Sequence, residues 1–417
     1  MYIDKLRLTD LRCFRQVEMR LVHPERTDTD PSRLANINLL LGNNGSGKTS
    51  ILRALALSPL GPVIRESGYV PYRLIRRGAR SRARRAAVRA DIILHGQDVG
   101  APWEEKSGRV GMILRIERRG DYEFVRSGIA RGSSRYLYED RSPAFFVVGY
   151  GATRRVESSE RIDATARDKA RRLRYERVAG LFEDLVALVP LRAWLPPLRT
   201  SNPGRFKQVQ GLLDRLLPEQ ARFTGRLEDG DYVFEHLGVP VPFAALSDGY
   251  RAYIGWIGDL LYHITMGAPS GAKLVDSRGV VLVDEIDLHL HPEWQRTVVP
   301  TLSRALPKLQ FIVTSHSPIV AGTLHASNVF VMEMDGHGAS TVHQYQERIH
   351  GLNADQVLTS SYFGLTTTRA PDATASLIEL SRKAGKGDRT AVRDFARMLA
   401  GSPRTRRDGR ARRASRR

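Results

Sequence analysis

The sequence predicts an α/β protein built on a mostly parallel sheet, and three observations carry that expectation. An apolar run at 37–41 leads into a glycine-rich loop and then an apolar helix. From residue 246 onward, helix-length and strand-length segments alternate. No segment shows sustained heptads or a repeat of roughly 20–50 residues, which excludes coiled coils and solenoids.

Taken in order, residues 2–21 read as two strands, because Ile3, Leu6, Leu8 and Leu11 and then Phe14, Val17, Met19 and Leu21 interleave with polar positions. The polar stretch 23–33 is a loop. Residues 37–41 form a buried strand, and 50–57 the helix after the glycine loop. Residues 58–110 look irregular and arginine-rich. A hairpin is expected over 110–126, turning at Arg119, Gly120 and Asp121, followed by a buried strand at 144–150. Residues 157–189 have helical composition, with Leu173, Val178, Leu181, Phe182, Leu185, Val186 and Val189 as apolar positions, and the prolines at 190–197 break that helix. A short helix is expected at 204–217 and a hairpin at 222–235. Then come helix 250–266, strand 279–283, helix 293–305, strand 309–314, helix 318–324 and strand 328–333.

The chain has 65 Lys and Arg against 45 Asp and Glu, a net charge of +20, which points to a polyanionic partner, nucleic acid ahead of a membrane surface. The excess is local. Residues 73–89 hold eight Arg and no acid, and 402–417 hold eight Arg and one Asp; removing both leaves about +5, most of it in 154–177. Such runs read either as solvated arginine or as phosphate-contacting patches. A single cysteine, Cys13, excludes an intramolecular disulfide and a cysteine-rich zinc site, and suits a reducing cytoplasm. No apolar stretch is long enough to span a membrane and the N-terminus has no leader pattern, so a cytoplasmic protein without a membrane partner is expected.

Gly42, Asn43, Asn44, Gly45, Ser46, Gly47, Lys48 and Thr49 match the phosphate-binding loop G-x-x-x-x-G-K-[ST], followed by Ser50. The glycines let backbone N–H groups turn toward phosphate oxygens, Lys48 supplies a positive charge, and Thr49 offers a hydroxyl to Mg²⁺. Asp284 and Glu285 end the apolar run Val280–Val283. The first carboxylate suits a Mg²⁺ shell and the second a base for water. Ser247, Asp248 and Gly249 open a helix, where Ser247 can cap it and Gly249 permits close approach to an anion; taken alone, they read first as an ordinary capped helix. His316 follows the next strand and can reach a terminal phosphate, although a lone turn histidine is commonly structural.

The order of these motifs resembles the ABC-type P-loop ATPases, in the soluble branch containing RecF, SMC and overcoming-lysogenization-defect proteins. The opening from Ile3 to Phe14, the 43–49 loop, the segment 146–154 and the residues 284–292 look like the small "AAA family" ATPases of bacterial defence systems. The resemblance covers 1–57 and 246–365. It implies an ABC-type mixed-sheet core from those two stretches, an inserted and largely helical region at 58–245, a helical segment at 366–401 and a disordered tail at 402–417. It also implies ATP bound by residues 42–50 and Arg12, with Mg²⁺ held by Thr49 and Asp284. Glu285 would be the base and His316 the switch histidine, with Lys48 also catalytic. Ser247, Asp248 and Gly249 would contact nucleotide on a second copy, giving an ATP-sandwich dimer or higher oligomer. The family's Q-loop glutamine has no clear counterpart, and Tyr150–Arg154 stands in its place. His289 and His291 belong to the segment after the acidic pair and are not expected to bind metal. Relatives with long coiled coils or a nuclease domain carry segments with no counterpart here. The effector, such as a nuclease, is therefore expected on another polypeptide, with DNA or RNA contacted through 73–89 and 402–417. The alternatives are a non-hydrolysing ATP sensor in a larger complex and the ATPase subunit of a transporter.

Overall fold

The computed structural model describes residues 1–26, 34–67, 69–78, 83–95, 108–129, 146–156, 173–184 and 186–400. The tail 402–417 and the middle of both internal charged runs, 79–82 and 157–172, lie outside the described residues. The chain divides into two compact units, Met1–Val357 with Ser361–Phe363, and Leu358–Ser360 with Gly364–Arg417.

The elements of the first unit are, in order, β1 (Tyr2–Leu11), β2 (Phe14–Arg20), β3 (Ile37–Gly42), α1 (Lys48–Leu60), β4 (Arg85–Ile93), β5 (Arg109–Arg119), β6 (Tyr122–Ile129), β7 (Val147–Tyr150), α2 (Leu191–Ser201), α3 (Pro203–Leu216), β8 (Ala221–Glu228), β9 (Asp231–His236), β10 (Val239–Pro242), α4 (Asp248–Gly267), β11 (Gly279–Val283), α5 (Val298–Ala305), β12 (Leu309–Thr314), β13 (Val329–Met334) and β14 (Ser340–His343). The second unit carries α6 (Pro371–Gly385) and α7 (Arg389–Leu399). Asp388 caps α7 by accepting from the N–H groups of Thr390 and Ala391.

Three larger sheets organise the first unit, beside a two-residue parallel pairing of Arg155–Val156 with Ala187–Leu188. A six-stranded sheet has the order β14-β13-β3-β12-β11-β7 and is parallel except for β14. A five-stranded antiparallel sheet has the order β2-β1-β4-β5-β6, and β8-β9-β10 form a third. The parallel strands are buried on both faces, so their side chains divide between two cores. Leu39, Leu41, Val281, Val283, Phe311 and Val313 pack with residues of α3, α4 and α5. Leu40, Val280, Leu282 and Ile312 point the other way, toward α1 and the inner face of the antiparallel sheet. Gln310 fastens the two sheets from inside: its amide oxygen accepts from Ile3 N–H at 2.8 Å and its NH₂ donates to the carbonyls of Ile3 and Val22. Burying that amide without three partners would cost stability.

Several expectations need correction. Residues 58–110 are not irregular throughout, because β4 lies in them and is the central strand of the antiparallel sheet. Ala86, Val88, Ala90 and Ile92 face inward while Arg85 and Arg89 face out, so the arginines mark one face of a strand. The 58–245 stretch is consequently not largely helical: β4, β5 and β6 extend the N-terminal hairpin, and β7 is an edge strand of the parallel sheet. The expected helix at 157–189 survives in its described part only as one helical turn at Leu173–Glu176 and a 3-10 turn at Ala179–Leu181. Prolines 196 and 197 do not break the chain but lie inside α2. Each proline removes one backbone donor, and burial of Leu191, Trp194 and Leu195 holds the helix regardless. The expected helix 293–305 divides into Pro292–Gln295 and α5. Strands β10 and β14 were not foreseen.

Candidate functional site

The parallel register sets Thr314 opposite Leu40, and Val283 opposite both Val313 and Tyr150. The carboxyl ends of β3, β11, β12 and β7 therefore lie along one edge, where an open α/β sheet places its ligand. A cleft of about 540 Å³ opens there, and Asn44, Gly45, Gly47, Lys48, Thr49, Ser50, Asp284, Glu285, His316 and Arg12 all line it.

The loop before α1 turns through left-handed backbone at Gly45 (φ 79°) and Gly47 (φ 102°). A Cβ on Gly47 would lie 2.5 Å from Cys13 Sγ and 2.6 Å from the Phe14 ring, so glycine is demanded both by backbone and by space. Gly47 precedes α1 without a side-chain cap, leaving the first-turn N–H groups of a 13-residue helix available to an anion. Ser46 is buried, and Gly42 and Asn43 contribute carbonyls: Lys48 Nζ donates to Gly42 O at 2.7 Å and to Asn43 O at 3.1 Å. Burial pushes the Lys48 ammonium below its ordinary pKa, and the carboxylates of Asp284, Glu285 and Asp287 pull it partly back.

Opposite the loop, Asp284 is buried and both its oxygens are engaged. Oδ2 accepts from Thr49 Oγ1 and Oδ1 from Thr314 Oγ1, each at 2.6 Å. The Thr314 hydroxyl in turn accepts from the Glu285 N–H at 2.7 Å. Glu285 itself has φ 50°, a left-handed value that is uncommon without glycine, and Arg154 Nη2 donates to its carbonyl at 2.6 Å. The Arg154 guanidinium lies 5.8 Å from the Trp256 ring on α4. Burial lowers its pKa to about 10 against the pull of Asp284, Asp287 and Glu285.

The turn between β1 and β2 forms a third wall. Arg12 (φ 48°) donates its N–H to Leu74 O at 2.7 Å, and its side-chain Nε is buried with no protein partner. An unpartnered guanidinium nitrogen beside a buried ammonium suits phosphate, and a threonine hydroxyl beside a carboxylate suits Mg²⁺, a hard cation that prefers oxygen. The residues present therefore fit a magnesium-bound nucleoside triphosphate.

Ser247, Asp248 and Gly249 do not line this cleft. They stand at the start of α4, where Ser247 and Asp248 are exposed. The Ser247 hydroxyl makes no capping bond, contrary to the sequence reading, while Asp248 pairs with Arg251. Gly249 does allow close approach, since a Cβ there would lie 2.9 Å from His289 O. His291 caps the short helix Pro292–Gln295 through Nδ1. Among the described residues no group of three His, Cys, Asp or Glu could hold a metal. Within 150–154, the Tyr150 hydroxyl turns away to donate to Asp259 on α4 at 2.8 Å while its carbonyl accepts from the Asp284 N–H at 2.8 Å, and Arg154 is the side chain that reaches the acidic pair.

Sequence reasoning gave no role to Thr314, named Arg154 only as the end of the stretch 150–154, and treated the arginine run 73–89 as one patch. Arg73, Arg76 and Arg77 line the cleft with the phosphate loop. Glu123 holds that strap, accepting from the N–H groups of Leu74 and Ile75 and pairing with Arg77 at 3.4 Å. No helix among the described residues is long and apolar enough to cross a membrane.

Comparison with known proteins gives concordant matches. Septu protein PtuA of Bacillus mycoides is 26% identical over 376 residues, covering 88% of this chain and 45% of that protein. The "Retron Ec83 probable ATPase" of Escherichia coli is 36% identical over 132 residues, 32% of this chain and 24% of that protein. The chain thus spans less than half the length of either relative. Among solved structures, an SMC head bound to the C-winged helix domain of ScpA superposes with TM-score 0.49 at 18% identity, over 82% of this chain and 97% of that one. The family model "AAA domain, putative AbiEii toxin, Type IV TA system" matches residues 37–321. That span runs from the strand before the phosphate loop, through the acidic pair, to just past His316, and the chain belongs to this AAA-domain family.

Proposed function

We propose that the protein binds ATP with Mg²⁺, hydrolyses it to ADP and phosphate, and uses the cycle to switch a separate effector. The observation that carries this reading is the hydrogen-bonded chain Thr49–Asp284–Thr314–Glu285 facing Lys48 across one cleft. Lys48 exchanges its two carbonyl partners for phosphate oxygens, and the N–H groups opening α1 hold the same phosphates. Bound Mg²⁺, held by Thr49 and Asp284, would neutralise charge on the phosphates. Glu285 receives the proton of the attacking water on its carboxylate, and His316 hydrogen-bonds near the terminal phosphate.

Ser247, Asp248 and Gly249 lie away from the cleft of their own chain, which supports a role on the cleft of a second copy and hence ATP-dependent self-association. Nucleic acid, contacted through arginine-rich surface, is the proposed signal. The effector, such as a nuclease, is on another chain. The kinship with proteins named Septu PtuA and retron ATPase supports a place in a bacterial defence system.

Phosphate release by the full chain with Mg²⁺ and ATP tests the enzyme. Wild type is expected to turn over, and Glu285→Gln to slow release by at least ~100-fold with ATP binding kept. No turnover in wild type, or unchanged turnover in the variant, refutes hydrolysis. Sedimentation with ATP tests assembly: Ser247→Arg is expected to remain dissociated, and association that survives it refutes the sandwich.

A further inference from the structure

The outer face of the antiparallel sheet presents an arrangement that the ATPase cycle does not use. Arg115 on β5 stands directly opposite Arg126 on β6. Arg89 on β4 is diagonal to Arg115 on the same face and directly opposite Arg7 on β1. Like charges directly opposite one another destabilise a sheet, and elsewhere on this face the conflict is relieved by acids. Lys5 and Arg7 pair with Glu18, Arg7 also with Asp91, and Arg85 with Glu117. Arg89, Arg115 and Arg126 are exposed and, among the described residues, have no acidic partner. They form a row crossing three strands, ~10 Å at ordinary strand spacing.

Beside this row, Tyr122 and Phe124 alternate with Arg126 along the outer side of β6 and are 75% and 50% exposed. Arg119 lies 5.9 Å from the Phe124 ring. The buried side chains of β4 and β5 point to the opposite face, toward α1, so these two rings contribute nothing to the core. Uncompensated guanidinium groups flanked by exposed rings combine phosphate attraction with stacking platforms, the two elements of single-strand recognition. A duplex would offer the arginines phosphate but would keep its bases stacked away from the rings.

We infer that this sheet face, centred on Arg89, Arg115, Arg126 and Phe124, binds a single-stranded polynucleotide. The inference rests on the nucleic-acid reading above and moves its site. The 73–89 run does not act as one surface, because Arg73, Arg76 and Arg77 line the nucleotide cleft while Arg89 belongs to this face.

The test is fluorescence-anisotropy titration of the full chain with a labelled 20-mer oligothymidylate and with a duplex of equal length, at several salt concentrations. Wild type is expected to bind the single strand more tightly. Combining Arg89→Ala, Arg115→Ala and Arg126→Ala is expected to weaken binding at least tenfold in low salt. It should also reduce the slope of log affinity against log salt by about 2, the share of three phosphate contacts. Phe124→Ala is expected to weaken single-strand binding about tenfold and leave duplex binding unchanged. Both variants should keep the basal ATPase and melting temperature of wild type. If wild type binds single strands and the triple variant binds as well, this site is wrong and the nucleic-acid reading stands. If wild type binds neither probe, that reading fails and this one with it. Equal competition by anionic vesicles or by a polyglutamate peptide would also overturn the assignment, reducing the face to generic charge.

Discussion

Replacing Thr314 by Val keeps the shape of a fully buried side chain and deletes one hydroxyl, and that hydroxyl holds both carboxylate-bearing residues of the proposed mechanism. Two bonds are lost: the donation to Asp284 at 2.6 Å and the acceptance from the Glu285 N–H at 2.7 Å. A hydrogen bond to a charged group contributes about 1.5–3 kcal/mol, and a stranded buried donor costs about 1–3 kcal/mol. The methyl group recovers about 1 kcal/mol by transfer from water. The net loss is about 1.5–5 kcal/mol, concentrated where Glu285 is held at φ 50°. If most of it falls on the reacting geometry, turnover drops roughly 10- to 5000-fold. ATP affinity changes little, because Lys48 and the loop are untouched. Thr314→Ser keeps the hydroxyl and is the control, expected within about threefold of wild type. Steady-state phosphate release together with binding of a fluorescent ATP analogue separates the two effects. Wild-type turnover in Thr314→Val, or equal losses in the Val and Ser variants, would refute the claim that this hydroxyl organises the acidic pair.

Three further outcomes follow from the same geometry. Arg154→Gln removes the charged donor to the Glu285 carbonyl and is expected to lower kcat about tenfold with KM nearly unchanged, with Arg154→Lys intermediate; a rise in KM alone would contradict a positioning role. Gly47→Ala brings a Cβ against Cys13 and Phe14 at a left-handed φ and is expected to cost about 2–4 kcal/mol of stability and to abolish ATP binding, read by thermal melting and titration. The depressed pKa of Lys48 means that, in the alkaline range below 10.5, part of the free protein carries a neutral amine there, and bound phosphate restores the charge. ATP binding in that range is therefore expected to take up protons, and calorimetry in buffers of different ionisation enthalpy should detect it. By the same sign, Lys48 disfavours folding at neutral pH, and that penalty fades as pH rises toward 10.5.

The legible parts of the site were those where chemistry leaves few residue choices. A phosphate loop needs glycine where the chain turns left-handed against Phe14, and it needs lysine and threonine at a fixed offset from that turn. Thr314 was not legible, because a threonine ending an apolar strand is common. Its value comes from a register pairing that brings residues 284 and 314 together across the sheet. Arg154 stood out only as the end of the stretch 150–154, because its bond to the Glu285 carbonyl joins residues 131 apart in sequence. In the fold, β4 was lost because four inward alanine, valine and isoleucine side chains are weak signals beside alternating arginines. The proline pair in α2 misled because propensity yields to the burial of Trp194 and Leu195.

The arginine run at 73–89 shows most directly what linear charge does and does not say. As sequence it is one block of +8, and it invites one function. In the fold residues 73–77 are a strap held by Glu123 against the phosphate cleft, and residues 85–89 belong to a strand whose outward arginines join Arg115 and Arg126 from β5 and β6. Charges adjacent in sequence thus lie on different surfaces, while charges far apart in sequence form one surface. Strap and strand meet through the same hairpin. Glu123, which fixes the strap, lies between Tyr122 and Phe124 on β6 and points to the opposite side of the sheet. A polynucleotide that shifted β6 would therefore act on the residue holding Arg77 at the cleft. If that coupling operates, single strands are expected to change the turnover of wild type and to leave that of Glu123→Gln unchanged with polynucleotide affinity retained; an equal response of the two proteins would refute it.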